Sequence, residues 1–335
     1  MNHDTIVIGA SAGGVEVLLK LAGALPADLP ASIFLVIHTL PGHRSELPEL
    51  LSRRGPLPAR HPMHGEKIAP GHIYVAPPDN HLLLRHGSME VVRGARENGH
   101  RPSADALFRS AAAAYGARVI GVVLSGYQNC GTAGLMSIKA RGGLAVVQDP
   151  ETATAPDMPS SVIDKVAVDH VVSPADLAGL LTELAALPAG LAREPNRFVD
   201  QLEGRMLGSA VEISCPICQG VLTEADSGTF EHFRCHVGHA FTLENLVSEQ
   251  GEEMERALWS AVRSLEEGSA LSLRLAGKAK GDLRQRFMEQ STTQRQEAEV
   301  IRRILLRGDR LSAADGEAVS GAAPAPRASR ARRPG

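Results

Sequence analysis

The sequence has no run of about eighteen consecutive apolar residues, the length a membrane-crossing helix requires. Its start, Met1-Asn2-His3-Asp4, lacks the basic residues and apolar stretch of an export signal. Membrane insertion and secretion are therefore not expected, and the cytoplasm is the default compartment. Charge of one sign is also lacking: 35 Lys and Arg face 38 Asp and Glu, a formal net charge of -3. That balance gives no general pull toward nucleic acid or an anionic surface. Cysteine is scarce, and three of the four, Cys215, Cys218 and Cys235, fall within 21 residues, a clustering that in a reducing compartment favours metal binding over disulfides. Cys130 stands apart. At 335 residues the chain exceeds what one hydrophobic core usually holds, so a domain with appendages is expected.

From Thr5 to about Leu184, β-branched runs (Ile6 to Ile8, Ile33 to Ile37, Val119 to Leu124, Ala145 to Val147) alternate with helical segments near 13–24, 105–116 and 131–142. Near-continuous apolar strands separated by helices predict a doubly wound α/β domain with a mostly parallel sheet. The stretch from Gly71 to Arg93, with Ile73-Tyr74-Val75 and the turn residues Pro77-Pro78-Asp79-Asn80, reads as an antiparallel insertion or edge. A small-residue linker follows Leu184. Helical spacing resumes over 242–308 through Met254, Leu258, Val262 and Leu265, then Leu283, Phe287, Ala298, Ile301 and Leu305, with a break at Gly281-Asp282. The expected divisions are an α/β domain over 1–185, a linker over 186–197, a small cysteine-bearing module over 198–241, a helical hairpin over 242–308 and a disordered basic tail over 309–335.

Strand Thr5-Ile6-Val7-Ile8 runs into Gly9-Ala10-Ser11-Ala12-Gly13-Gly14 and then into the helical Val15 to Leu19. Such a turn presents a serine at the carboxyl end of the sheet, with backbone N–H groups and a helix N-terminus available to an oxyanion. The same turn could cradle a phosphate instead. A serine nucleophile needs a base to take its proton, and His38, at the end of the second strong strand, is the candidate. A histidine that merely caps the strand is the competing reading.

These residues resemble the catalytic domain of the chemotaxis protein-glutamate methylesterases (CheB). The resemblance rests on Val7 to Gly14, on His38 followed by Pro41-Gly42, on Pro70 to Pro77, on Arg101-Pro102-Ser103, and on Leu124-Ser125-Gly126 leading to Gly131-Thr132-Ala133-Gly134. It implies a Ser, His, Asp triad in which serine attacks the methyl ester of a receptor glutamate, releasing methanol and then the free carboxylate. Ser11 and His38 match. At the family's Asp position stands Cys130, reached through Gly126-Tyr127-Gln128-Asn129 without a gap. The orienting carboxylate holds the imidazole tautomer and stabilises the imidazolium; a serine protease with a neutral amide in its place loses roughly four orders of magnitude in rate. A Cys130 thiolate paired with His38 would be one rescue. Three readings follow: a weakened methylesterase, a domain kept for binding as a signalling scaffold, and an enzyme with Asp105 as substitute carboxylate, although an acid opening a helix is usually a cap. The resemblance further implies a stand-alone form without the family's receiver domain, and methylated chemoreceptor-like proteins as partners.

Cys215-Pro216-Ile217-Cys218, sixteen residues, then Cys235-His236-Val237-Gly238-His239 supply three thiols and two imidazoles. Four N or S ligands in a tetrahedron would hold a structural zinc. Cys215, Cys218, Cys235 and His239 are the expected set, with His236 as alternative fourth ligand, and a cluster without metal as the competing outcome. No cofactor is expected for catalysis. Stand-alone members of the resembled family carry similar ribbons followed by long helices. The apolar stripe of these helices would pack them against each other or against a second copy, and the arginine-rich tail reads as solubilising.

Overall fold

The computed structural model describes residues 1–38, 45–204 and 206–306; Pro41-Gly42, Arg205 and everything from 307 on, the expected basic tail included, lie outside the described residues. The chain divides into two compact units, 1–250 and 251–335.

The first unit opens with β1 (Thr5–Ala10), α1 (Gly14–Ala24), β2 (Ser32–Ile37), α2 (Leu47–Arg54), β3 (Ala59–Arg60) and β4 (Ile73–Val75). A hairpin of β5 (His81–Arg85) and β6 (Ser88–Val92) follows, then α3 (Ala104–Tyr115), β7 (Val119–Val123), α4 (Thr132–Ala140), β8 (Leu144–Gln148), α5 (Asp157–Lys165), β9 (His170–Val172) and α6 (Leu177–Ala186). Seven strands form one sheet in the order β3-β4-β2-β1-β7-β8-β9, every pairing parallel. From β1 the chain adds β2, then the edge strand β3, then β4 between β2 and β3 on one side, before it returns to β7 and winds outward on the other. The carboxyl ends of β1 and β7 therefore flank the point where strand order reverses, the crevice in which open α/β sheets place their ligands.

Two apolar layers cover the sheet, as burial on both faces of a parallel sheet demands. One joins Ile6, Ile8, Ile33 and Leu35 to α1, α2 and α6. The other joins Val7, Phe34, Val36 and Val123 to α3, α4, α5 and the β5–β6 hairpin. Each fully buried Val, Leu or Ile contributes roughly 1.5–3 kcal/mol, which fixes strand register because a one-residue slip would exchange the two faces.

Ile73-Tyr74-Val75 is not part of an antiparallel insertion: it is β4, parallel to β2 and β3 and wholly buried. The antiparallel pairing lies downstream in β5–β6, which turns at His86-Gly87 with Gly87 at φ 74°. Pro77 to Asn80 link sheet to hairpin. Three residues are too short to show a period, and the two neighbouring strands decide their direction.

Beyond α6 come α7 (Arg197–Leu202) and an antiparallel sheet of β10 (Ser209–Ser214), β11 (Val221–Asp226), β12 (Glu231–Cys235) and β13 (Ala240–Thr242). Its small core is Cys215, Leu222, Phe233, Cys235, Phe241 and Leu246. Next are α8 (Leu243–Lys278), within which the two units divide, and α9 (Gly281–Leu306). In the second unit these helices pack against each other along a seam of Val262, Ser269, Ser272 and Ala276 facing Ser291 and Ala298, with Ser269 and Ser291 hydroxyls 2.8 Å apart. Met254 and Leu283, placed on the buried stripe from spacing alone, are exposed. Small side chains take the seam because they let two backbones approach, a requirement that apolar periodicity does not express.

Candidate active site and cysteine cluster

Ser11 follows β1 and His38 follows β2. The register pairs Ala10 with Ile37, and the His38 N–H donates to Ala10 O at 3.2 Å, so the two residues leave adjoining strands side by side at the carboxyl edge. Ala10 and Ile37 face the layer under α1; strand alternation turns the next residue of each toward the opposite layer, which holds Cys130 and Met158. The segment after β7 closes over them, with Ser125 O accepting from the Ser11 N–H at 2.9 Å. Glycine is required at 126, where an added Cβ would stand 2.7 Å from Ser11 Cβ and 2.1 Å from Met158 Sδ.

The left-handed residue of the serine turn is Gly13, at φ 78°, a conformation that glycine takes without the steric cost of a Cβ. The Gly14 N–H donates to Ser11 O, while no described residue accepts from the N–H groups of Ala12 and Gly13 at the start of α1. Those two donors, with the positive end of the helix dipole, suit a developing oxyanion.

His38 has both ring nitrogens shielded from solvent and without a hydrogen-bond partner among the described residues. Its ring lies on that of His100, centroids 3.6 Å apart and planes within 14°. Burial, then the neighbouring His100, hold the His38 pKa well below the ordinary histidine value of 6.5, so the imidazole is neutral and proton-accepting. Burial, then the charge of Arg96, likewise bring His100 down to about 4.

Cys130 is 1% exposed and its Sγ lies 3.4 Å from Ser103 Oγ. Burial, reinforced by the nearby Asp105, pushes the thiol upward in pKa, so it is protonated and makes no hydrogen bond to His38. The thiolate rescue finds no support here: an apolar core disfavours the anion, and no cation among the described residues is bonded to it. Asp105 does not replace the missing carboxylate either. It is buried, with Oδ1 accepting from Gly134 N at 2.7 Å and Oδ2 from Asn98 Nδ2 at 3.0 Å. It caps the first turn of α4 rather than its own helix, leaving none of its described bonds for His38.

Asn129, beside Cys130, reaches the start of α8. Its Nδ2 donates to Glu244 Oε2 at 2.9 Å, and its Oδ1 accepts from Thr242 Oγ1 at 3.0 Å and from Asn245 Nδ2. Asn98 does the same from the other side, with N–H to Ala240 O at 2.7 Å and Oδ1 accepting from Thr242 N at 3.0 Å. Glu97 accepts from Arg109 at 2.5 Å and lies 3.9 Å from Arg234 of β12. Burial opposes its charge, but the two guanidinium groups hold its pKa at about 2. These contacts tie the loops around Ser11 and His38 to β12, β13 and α8. Neither His100 nor this network was identified from sequence, because the partners lie far apart along the chain.

Cys215, Cys218, Cys235 and His239 present ligand atoms all within 4.8 Å of one another. His239 Nδ1 is 3.7 Å from Cys215 Sγ and 3.5 Å from Cys235 Sγ, and Cys218 Sγ is 3.6 Å from Cys235 Sγ. Zinc–sulfur bonds near 2.3 Å imply tetrahedron edges of about 3.7 Å, so the spacing fits the ion. His236 lies outside the four, against Gly220.

A family model described as CheB methylesterase matches residues 6–181. A putative protein-glutamate methylesterase/protein-glutamine glutaminase of Leptospira interrogans is 38% identical over 185 residues, covering 55% of this chain and 96% of the relative. The protein-glutamate methylesterase/protein-glutamine glutaminase 4 of Myxococcus xanthus is 38% identical over 178 residues, 53% of this chain, which spans only 50% of that relative's length. The crystal structure of the Thermotoga maritima CheB methylesterase catalytic domain superposes with a TM-score of 0.53 at 32% identity, covering 55% of this chain and all of that one.

Proposed function

Because this chain belongs to the CheB methylesterase family, we propose that it is a serine hydrolase acting on glutamate methyl esters of chemoreceptor-like proteins in the cytoplasm. The observation that carries the reading is the emergence of Ser11 and His38 from the register pair Ala10–Ile37 at the strand-order reversal. Ser11 Oγ attacks the ester carbonyl and its proton passes to His38. The Ala12 and Gly13 N–H groups stabilise the oxyanion, methanol leaves with the proton from His38, and water then releases the carboxylate by the same route. The relatives' names pair this activity with glutaminase action, the same acyl transfer with ammonia as leaving group.

Cys130 weakens this site. A neutral thiol gives no charge to an imidazolium, and the lost orienter costs up to roughly four orders of magnitude by analogy with the neutral amide replacement. The buried, protonated thiol bonded to Ser103 favours a second reading, a scaffold that binds receptor segments without turning them over. Methanol release from a methylated receptor fragment separates the two. Turnover by the wild type that Ser11→Ala abolishes supports the hydrolase; a silent wild type revived by Cys130→Asp supports the scaffold.

In the carboxyl-terminal part of unit 1, Cys215, Cys218, Cys235 and His239 would hold a structural zinc, making β10 to β13 a zinc-ribbon-like module. With four protein ligands the ion would close the module and have no open position for substrate.

A further inference from the structure

The triad position that should orient His38 is occupied by Cys130, which is bonded elsewhere, and Asp105 is spent on Gly134 and Asn98. What does touch the His38 ring is the face of His100. We propose that His100 is the positioning residue of this site, fixing the plane of the His38 imidazole by stacking in place of the hydrogen bond that the family's aspartate supplies. This inference rests on the hydrolase reading of Ser11 and His38.

A face-to-face contact at 3.6 Å defines the ring plane without engaging either nitrogen in a hydrogen bond. The surface it stacks on is itself fixed. Glu97 and His100 exchange backbone hydrogen bonds, Glu97 N to His100 O at 3.1 Å and His100 N to Glu97 O at 2.9 Å, and Glu97 is anchored by Arg109. Within the same tight turn Asn98 is held by Asp105 and Thr242. A ring on so constrained a turn has little freedom to follow its neighbour, as positioning requires.

The test compares His100→Phe, which keeps a flat face, with His100→Leu, which keeps bulk without one, both as full chains checked by thermal melting. Two readouts are taken. Diisopropyl fluorophosphate labels Ser11: the Oγ–P bond forms, P–F breaks, fluoride leaves and the serine proton passes to His38. His100→Leu is expected to slow labelling about tenfold or more, with His100→Phe within about threefold of wild type. In proton–carbon NMR, the His38 ring resonances, shielded by the stacked neighbour, move downfield in His100→Leu. Equal labelling by both variants and wild type, or His38 resonances unmoved in His100→Leu, overturns the proposal. A wild type inert to the reagent would sink the hydrolase reading and the positioning role with it, whereas equal labelling of active proteins overturns the positioning role alone.

Discussion

At the cysteine cluster four ligand atoms lie within 4.8 Å of one another, whereas at the serine edge His38 has no hydrogen-bond partner among the described residues. The difference follows from how each is assembled. The cluster draws on one turn, Cys215 to Cys218, and one strand end, Cys235 to His239, joined by an antiparallel sheet of fixed register. The serine edge draws on segments spread from Ser11 to Asn245, each with structural bonds of its own. Local turns bring four side chains together with few degrees of freedom; the serine edge depends on segments from far apart in the chain arriving together.

The largest effect should come from disrupting the cysteine cluster, if it holds the proposed zinc. Cys235→Ser is expected to lower zinc from about one ion per chain to near zero, and to remove hydrogen-exchange protection from β10 to β13, since structural zinc contributes on the order of 10–16 kcal/mol in small modules. Wild-type protein purified without chelator and carrying no zinc would erase the comparison. An intermediate effect belongs to Glu97, which joins the two regions through Arg109 and Arg234. Glu97→Ala leaves a buried guanidinium unpaired and should cost about 3–5 kcal/mol in denaturant unfolding. Its folded pKa of about 2 lies below the ordinary 4.5, so its stabilisation is complete above 4.5 and is lost as pH falls from there toward 2. Glu97→Gln should flatten that dependence; an unchanged acid profile would separate Glu97 from the clamp. The smallest effect concerns the open site. With His38 held below 6.5, the acid limb of Ser11 labelling should fall below pH 6.5, and Cys130→Asp should move it upward by about one unit. A limb above 6.5 in the wild type would mean that His38 is not the base.

Much of the sheet could be read in advance. The runs at Ile6, Ile33, Val119 and Ala145 are long and β-branched enough to specify buried strands, and they are β1, β2, β7 and β8. Ile73-Tyr74-Val75 was misread because three residues carry no period, and the parallel partner β2 lies 36 residues or more away in sequence. Between α8 and α9 spacing was right at Val262 and Ala298, which are buried, and wrong at Met254 and Leu283, because spacing ranks positions by hydrophobicity while the packed helices select Ser269, Ser272 and Ser291 for size. At the site, Ser11 and His38 could be placed on one edge because each ends a strong strand. Nothing in the local pattern at Asn98 to Ser103 announced a stacked imidazole.

The sequence by itself determined which groups the chain carries and where: a serine in a small-residue turn, a histidine ending the next strand, a lone cysteine before Gly131, and a C-x-x-C pair with a later Cys and His. Those are statements about residue identity and short spacing, which local backbone geometry can read. Only the tertiary structure decided what each group meets. Cys130 is a neutral thiol because it is sealed in an apolar layer, Asp105 is occupied because α4 starts beside it, and His38 rests on His100 because a clamped turn delivers that ring. Burial and partner choice depend on segments brought together from across the chain, and no window of sequence contains them.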